Sequence, residues 1–149
     1  MDNCDICQSI YIEMPGAPVG KGRPRFTRDG RTYTPMKTKL YEDELRIRAK
    51  AALARVGGRL FEGPVKISIC AHFPVPKSYP KARRMDCLMG VESPTKKPDM
   101  DNIIKTIDGL NGIIFRDDRQ VVCINAVKVY SEVPRVIYII SKCNPAEEI

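Results

Sequence analysis

Asp99-Met-Asp101 sets two carboxylates two residues apart. In extended backbone such residues point to the same side, so both acids can face one site. If a helix starts at Asp101, Lys105 and Asp108 at i+4 and i+7 share its stripe. Ile103, Ile107 and Leu110 fall on the roughly opposite stripe and would face a core. Further on, Asp117-Asp118 stands directly before an apolar run. A fold that returns this pair beside the helix gathers four or five carboxylates in one place. Like charges that close repel unless a cation neutralises them. Mg²⁺ and Mn²⁺ take oxygen ligands, and Mg²⁺ commonly pairs with phosphate substrates. Such an ion lowers the pKa of a bound water and stabilises charge on attacking and leaving oxygens. A lysine in the cluster can contact the scissile phosphate. Carboxylates, a lysine and basic loops describe a phosphodiesterase. The plainer alternative has Asp101 as a helix cap, Asp117-Asp118 as a solvated turn and Lys105 as a surface ion-pair partner. Spacing alone leaves both open.

The elements that would position these residues are readable in outline. Ile10 to Met14 reads as a strand ended by Pro15-Gly16. Lys21-Gly-Arg-Pro-Arg25 is a basic stretch, and Asp29-Gly30 within the following segment signals a hairpin turn. Thr34-Pro35 marks a helix start, with Thr34 as cap and Pro35 at the first helical position. That helix runs to about Val56 with Leu45, Ala49, Ala52, Leu53 and Val56 as its apolar stripe, and Gly57-Gly58 stop it. Val65 to Phe73 is a second strand. Residues 74–98 hold five prolines and no clear period, so they read as a long basic loop. A helix from Asp101 to Leu110, stopped by Asn111-Gly112, precedes two paired strands, 121–130 and 135–141, joined through a Pro134 turn. This order predicts a single α+β domain over residues 1–149, with a mixed sheet, helices packed on one face and residues 1–9 as a tail.

Composition narrows the function class. The 149 residues include 25 Lys and Arg against 18 Asp and Glu, a net charge of +7 that favours a polyanionic partner. Lys21, Arg23, Arg25, Arg28, Arg31, Lys37 and Lys39 cluster against the single acid Asp29. The long loop adds Lys77, Lys81, Arg83, Arg84, Lys96 and Lys97. Except for Lys39, all of these are candidate phosphate contacts, which hold backbone rather than sequence. Tyr33, Phe26 and Tyr79 are candidates for base stacking, with core packing favoured for Phe26. No apolar run reaches the roughly 18–20 residues of a membrane span, and no export signal precedes the chain, so a soluble cytoplasmic protein with reduced thiols is expected. Cys4-Asp-Ile-Cys7 has zinc spacing but no second pair completes it. His72, the only histidine, sits on an apolar strand and is read as structural or as a substrate contact rather than a general base.

The string Lys97-Pro-Asp-Met-Asp-Asn-Ile-Ile-Lys-Thr-Ile-Asp-Gly-Leu-Asn-Gly, followed by Asp117-Asp-Arg-Gln-Val, resembles the central signature of RusA-like Holliday junction resolvases of bacteria and phages. Lys21-Gly-Arg-Pro-Arg-Phe, Tyr33-Thr-Pro and Phe73-Pro-Val-Pro-Lys-Ser are similar to further elements of the phage-type branch. The resemblance covers most of the chain from Ile10 to Tyr130. It implies a homodimeric endonuclease that binds four-way DNA junctions and nicks two opposing strands, using Mg²⁺ with Mn²⁺ as a substitute and no other cofactor. It maps the catalytic acids to Asp99, Asp101 and Asp118 and the essential lysine to Lys105. Asp117 is a further candidate metal ligand. Asp108 matches an acidic position behind the ligands or in the scaffold, and Asn102 is expected to order the start of the helix. Two other functions remain: a related nuclease acting on flaps or other branched DNA, and a junction-binding protein without catalysis. The retained group of Asp99, Asp101, Lys105 and Asp118 argues against the second.

Overall fold

The alternating run at the start of the chain forms strand β1 (Ile10–Pro15), with Ile10, Ile12 and Met14 buried and their neighbours exposed. The computed structural model describes residues 9–148. After β1 come the two-residue strands β2 (Arg25–Phe26) and β3 (Thr32–Tyr33), then helix α1 (Met36–Arg55) and strand β4 (Val65–Pro74). Helices α2 (Lys81–Leu88) and α3 (Met100–Ile104) follow, and a 3-10 segment (Lys105–Leu110) continues α3. Strands β5 (Val121–Ser131) and β6 (Arg135–Lys142) complete the sheet. Its order is β1-β6-β4-β5; β4 and β5 are parallel and the other pairs antiparallel, the mixed sheet expected of an α+β chain.

Every second residue of β4 (Val65, Ile67, Ile69, Ala71, Phe73) and of β6 (Val136, Tyr138, Ile140) points into one core. Leu45, Ala49 and Leu53 of α1, Cys87 of α2, Ile103 of α3, and Ile107 and Leu110 beyond it enter the same core. The helices therefore cover one face of the sheet. The other face stays open and carries Tyr11, Val127, Ile137 and Ile139 beside Cys70 and His72. His72 pairs across the sheet with Arg135, and burial together with that charge lowers its pKa. It lies on the face away from the helices and takes no part in the acidic site.

The buried end of the core is tied together by hydroxyls. Thr106 Oγ1 donates to the Ile103 carbonyl at 2.6 Å and lies 2.7 Å from the Tyr138 hydroxyl, itself 2.9 Å from that of Tyr41. A hydroxyl has one proton, so Tyr138 donates to Thr106 and Tyr41 donates to Tyr138. This chain fixes α1 and the 3-10 segment against β6.

Several expectations are corrected. The last two strands do not pair with each other, because β4 lies between them. Residues 75–120 return the chain to the starting end of β4, so β5 runs parallel to it. The short connection 132–134 then crosses the end of β4 and places β6, apolar on both faces, in the middle of the sheet. The proline-rich segment is not structureless: its prolines flank α2 rather than interrupt it, with Pro80 at the N-cap. An eight-residue helix is too short to display a period. In α1, Pro35 rather than Thr34 is the N-cap, no side chain caps it, and Ala52 and Val56 are only partly buried. The Asp101–Leu110 helix tightens to 3-10 geometry at Lys105, where Gly109 lies against α1; a Cβ there would approach Leu45 Cδ2 to 3.2 Å. Phe26 is not in the core but 74% exposed. Cys4 and Cys7 lie outside the described residues, and Cys70, Cys87, Cys123 and Cys143 are free thiols. Among the described residues no helix is long and apolar enough to cross a membrane.

Candidate active site

Asp99 occupies the N-cap of α3, and its carbonyl accepts from the Ile103 amide at 3.1 Å. Its side chain makes no cap hydrogen bond, and Asp101 lies in the first turn, so neither carboxylate is spent on capping. Lys105 Nζ lies 3.6 Å from Asp101 Oδ2, the ion pair that helical spacing predicts. Both side chains are more than half exposed, and such a pair is worth about 0–1 kcal/mol, so Lys105 is easily recruited by another anion.

The second acidic segment is seated by its apolar neighbours. Ile113, Ile114 and Phe115 are buried, and Phe115 bridges to Phe61 and Asn111. The next turn closes on itself. Asp117 Oδ1 accepts from the Arg119 amide at 2.8 Å and from its Nε at 3.1 Å. Gln120 Oε1 accepts from the Asp117 amide, while its Nε2 donates to the carbonyls of Phe61 and Gly63. Asp117 is thus a capping residue as well as a candidate ligand, and it presents Asp118 to solvent.

Charge at this turn is lopsided. The Arg119 amide and guanidinium hold the Asp117 carboxyl below the usual carboxylate range. The Asp118 carboxyl is pushed up, chiefly by its hydrogen bond with Asp117, then by burial and the charges of Asp117 and Asp108. Asp118 therefore sits in an excess of negative charge that a cation would relieve. Oxygen-only donors suit Mg²⁺ or Mn²⁺, and Asp99, Asp101 and Asp118, with Asp117 beside them, are the residues that could hold one. Among the described residues no three such groups converge at ligand spacing. Asp101 is instead paired with Lys105 and Asp117 with Arg119.

The basic stretch after β1 is clamped onto this site. The Lys21 amide donates to the Asn102 carbonyl at 2.9 Å, and the Gly22 amide donates to Thr38 Oγ1 at 3.2 Å. Lys21 Nζ lies 3.0 Å from Asp108 Oδ2 and 3.2 Å from Glu42 Oε1. Burial opposes charge on this ammonium, but the two carboxylates outweigh it and its pKa is raised. Gly20 is the tightest contact: a Cβ would stand 2.8 Å from Pro98 Cβ and 2.9 Å from Asn102 Cβ.

A model of the RusA endodeoxyribonucleases matches residues 15–140, which hold the basic arm around Lys21–Arg25, both acidic segments and all of β4 and β5. The chain belongs to the RusA endodeoxyribonuclease family. It is also 36% identical over 133 residues to the uncharacterised protein YqaN of Bacillus subtilis (strain 168), an alignment covering 85% of this chain and 92% of that one. Membership makes DNA the substrate class and hydrolysis of an internal phosphodiester the reaction class.

Within the RusA framework the predicted basic residues separate into groups. Lys21, Lys37 and Lys97 line one cavity with Asp99 and Asn102. Arg25 lies on, and Arg28 and Arg31 at the tip of, the exposed β2–β3 hairpin, where Arg31 pairs with Asp29 at 3.4 Å. Arg23, Lys77 and Lys81 are exposed. Arg84, half-buried, lies in α2. Arg83 is already engaged: it pairs with Glu92 at 2.9 Å and stacks on the Tyr79 ring at 3.7 Å, which makes Tyr79 a partner of arginine. Lys96 lies over the Tyr130 ring at 5.3 Å. Tyr33 and Phe26 remain exposed on the hairpin.

Three residues escaped the sequence reading. Lys128 Nζ donates to the carbonyls of Lys96 and Pro98, at 2.6 and 3.0 Å, and so pins the backbone leading into Asp99. Its signal was a lone lysine in an apolar strand. Glu42 and Thr38 left no such signal, since a glutamate and a threonine on a helix are ordinary.

The Gly20 contact carries a prediction. Gly20→Ala forces the arm away from Pro98 and Asn102, neither of which offers a flexible side-chain end. Junction affinity should fall about tenfold, with a loss of roughly 1–3 kcal/mol in stability. Fluorescence anisotropy with labelled DNA and thermal melting measure the two. Unchanged affinity would show that the arm is held by other contacts.

Proposed function

We propose that this RusA-family chain is a divalent-metal-dependent endonuclease that resolves four-way DNA junctions as a homodimer, placing paired symmetric nicks. The carrying observation is the acidic constellation itself. Asp99 and Asp101 are free of capping duty, the charges of Asp117 and Asp108 outweigh that of Arg119 at Asp118, and a basic arm is tied to the same helix through Lys21.

Asp99, Asp101 and Asp118 would hold Mg²⁺ or Mn²⁺, and Asp117 orients its neighbour through the capping turn. When bound, such an ion lowers the pKa of a water and stabilises charge on the attacking and leaving oxygens. Lys105 leaves its weak pair with Asp101 and offers its ammonium to the non-bridging oxygens of the scissile phosphate, where negative charge grows. Lys21, held by Asp108 and Glu42, keeps the arm in place while its arginines grip backbone phosphates. Asn102 contributes its carbonyl to the same clamp.

A dimer suits a substrate with two equivalent strands, because two symmetric sites meet two symmetric phosphates. The open sheet face, with Tyr11, Val127, Ile137 and Ile139, supports a second copy of the chain there.

The test is a substrate panel of four-way junction, flap and linear duplex, with Mg²⁺ or Mn²⁺, on protein whose mass in solution is measured in parallel. Paired symmetric nicks confined to the junction are expected. Preference for flaps would move the protein to the branched-DNA nucleases. Junction binding without cleavage in either metal would leave a binding protein.

A further inference from the structure

Building on the nuclease reading, we infer that the cavity between the arm, the start of α1 and the Lys97-Pro98-Asp99 segment is a subsite for a DNA phosphate neighbouring the one that is cut. The cavity measures about 430 Å³ and is lined by Gly20, Lys21, Gly22, Lys37, Lys97 and Asp99, among others. That volume falls within the roughly 300–1,000 Å³ of small-ligand sites.

Its charge is arranged for an anion. Lys21 and Lys105 near the site are matched to carboxylates. Among the described residues Lys37 and Lys97 have no acidic partner, although both line this cavity. They come from distant parts of the chain and converge only through the fold. Asp99 is the single acid among the lining residues, and it belongs to the catalytic group. The first turn of α1, at the cavity wall, carries no acid and no side-chain cap, so the positive end of the helix dipole adds to the two ammoniums.

The walls are fixed before any ligand arrives. Gly20 is wedged against Pro98 and Asn102, and Gly22 is bonded to Thr38. Lys128 holds the carbonyls on either side of Lys97. A phosphate seated between Lys37 and Lys97 therefore lies beside Asp99, and the next phosphate of the same strand is delivered to the acids. Strand register relative to the metal would be set here rather than on the exposed hairpin.

The test compares Lys37→Gln/Lys97→Gln with Lys50→Gln/Arg59→Gln, which removes the same charge from exposed residues outside the cavity. The probes are thymidine 3′,5′-bisphosphate by calorimetry and four-way junction cleavage at several salt concentrations. The cavity pair should lose about tenfold or more in bisphosphate affinity, raise the junction KM about tenfold and reduce the salt slope by about two, with Mg²⁺ affinity kept. The control pair should shift bisphosphate affinity by less than about twofold. Equal losses in both pairs, or no bisphosphate binding by the unmodified protein, would overturn the subsite. The two readings separate cleanly. Protein that binds bisphosphate through Lys37 and Lys97 but cuts no junction keeps the subsite and sinks the nuclease. Protein that cuts junctions with an unaltered KM in the cavity pair sinks the subsite alone.

Discussion

Asp101→Asn is expected to lower junction cleavage by at least about 100-fold in Mg²⁺ while leaving junction binding intact, and Asp118→Asn should match it. The amide keeps the shape of the carboxylate but removes the charge that would draw a cation, and loss of even an outer partner of a bound metal costs about 10–100-fold. Folding will not account for the loss. The Asp101 side chain is 70% exposed, and its pair with Lys105 contributes about 0–1 kcal/mol. Asp118 is exposed, and Arg119, the cation that acts on it, is already paired with Asp117. Binding should hold or improve, because each change removes a negative charge that would repel DNA phosphates. Single-turnover cleavage with saturating protein, beside an anisotropy titration, separates the two effects. Near-normal cleavage by Asp101→Asn would reduce that carboxylate to a surface partner of Lys105, the plainer alternative its spacing allowed.

Phe115→Ala should cost about 3–5 kcal/mol, a large share of the roughly 5–15 kcal/mol that holds a domain of this size. Phe115 is fully buried, and its backbone bridges both Phe61 and Asn111. Its loss opens a cavity directly under the turn that carries Asp117 and Asp118. The midpoint of thermal unfolding should drop by roughly 10 °C or more. Cleavage measured well below that midpoint, where the chain is folded, should also fall, because Asp118 loses its seat. Phe115→Leu, which leaves a smaller cavity, should recover part of both. A variant that melts early yet cuts normally when cold would show that the capping turn of Asp117 and Gln120 holds the acids without support from the core.

Asp101 and Asp118 are residues that local pattern singled out, whereas the burial of Phe115 came from the structure, and the difference is physical. Side-chain direction in a strand repeats every two residues whatever the strand later pairs with, so the buried faces of β1 and β4 are visible in the letters. The same holds for Ile103, Ile107 and Leu110, which remain inward although the helix tightens to 3-10 geometry halfway along. The acids stood out by type and spacing, although spacing alone left the plainer surface reading open beside the catalytic one.

What the letters did not reveal depends on partners far away in sequence. The site of β6 between β1 and β4 was decided by competition among pairings, and a short turn at Pro134 reads as a hairpin until β4 takes the place between the two strands. The exposure of Phe26 follows from a small hairpin that leaves the core rather than joining it. Glu42 and Asp108 meet on Lys21, and Lys128 reaches the carbonyl of Pro98, through contacts that no local period encodes. By itself, then, the sequence determined the inward faces of β1, β4 and the Ile103–Leu110 segment and singled out residues whose types could do chemistry, since both follow from side-chain type and backbone period. The tertiary structure alone decided which charges are already matched and which, like those of Lys37 and Lys97, have no acidic partner among the described residues, because neutralisation depends on distance in space.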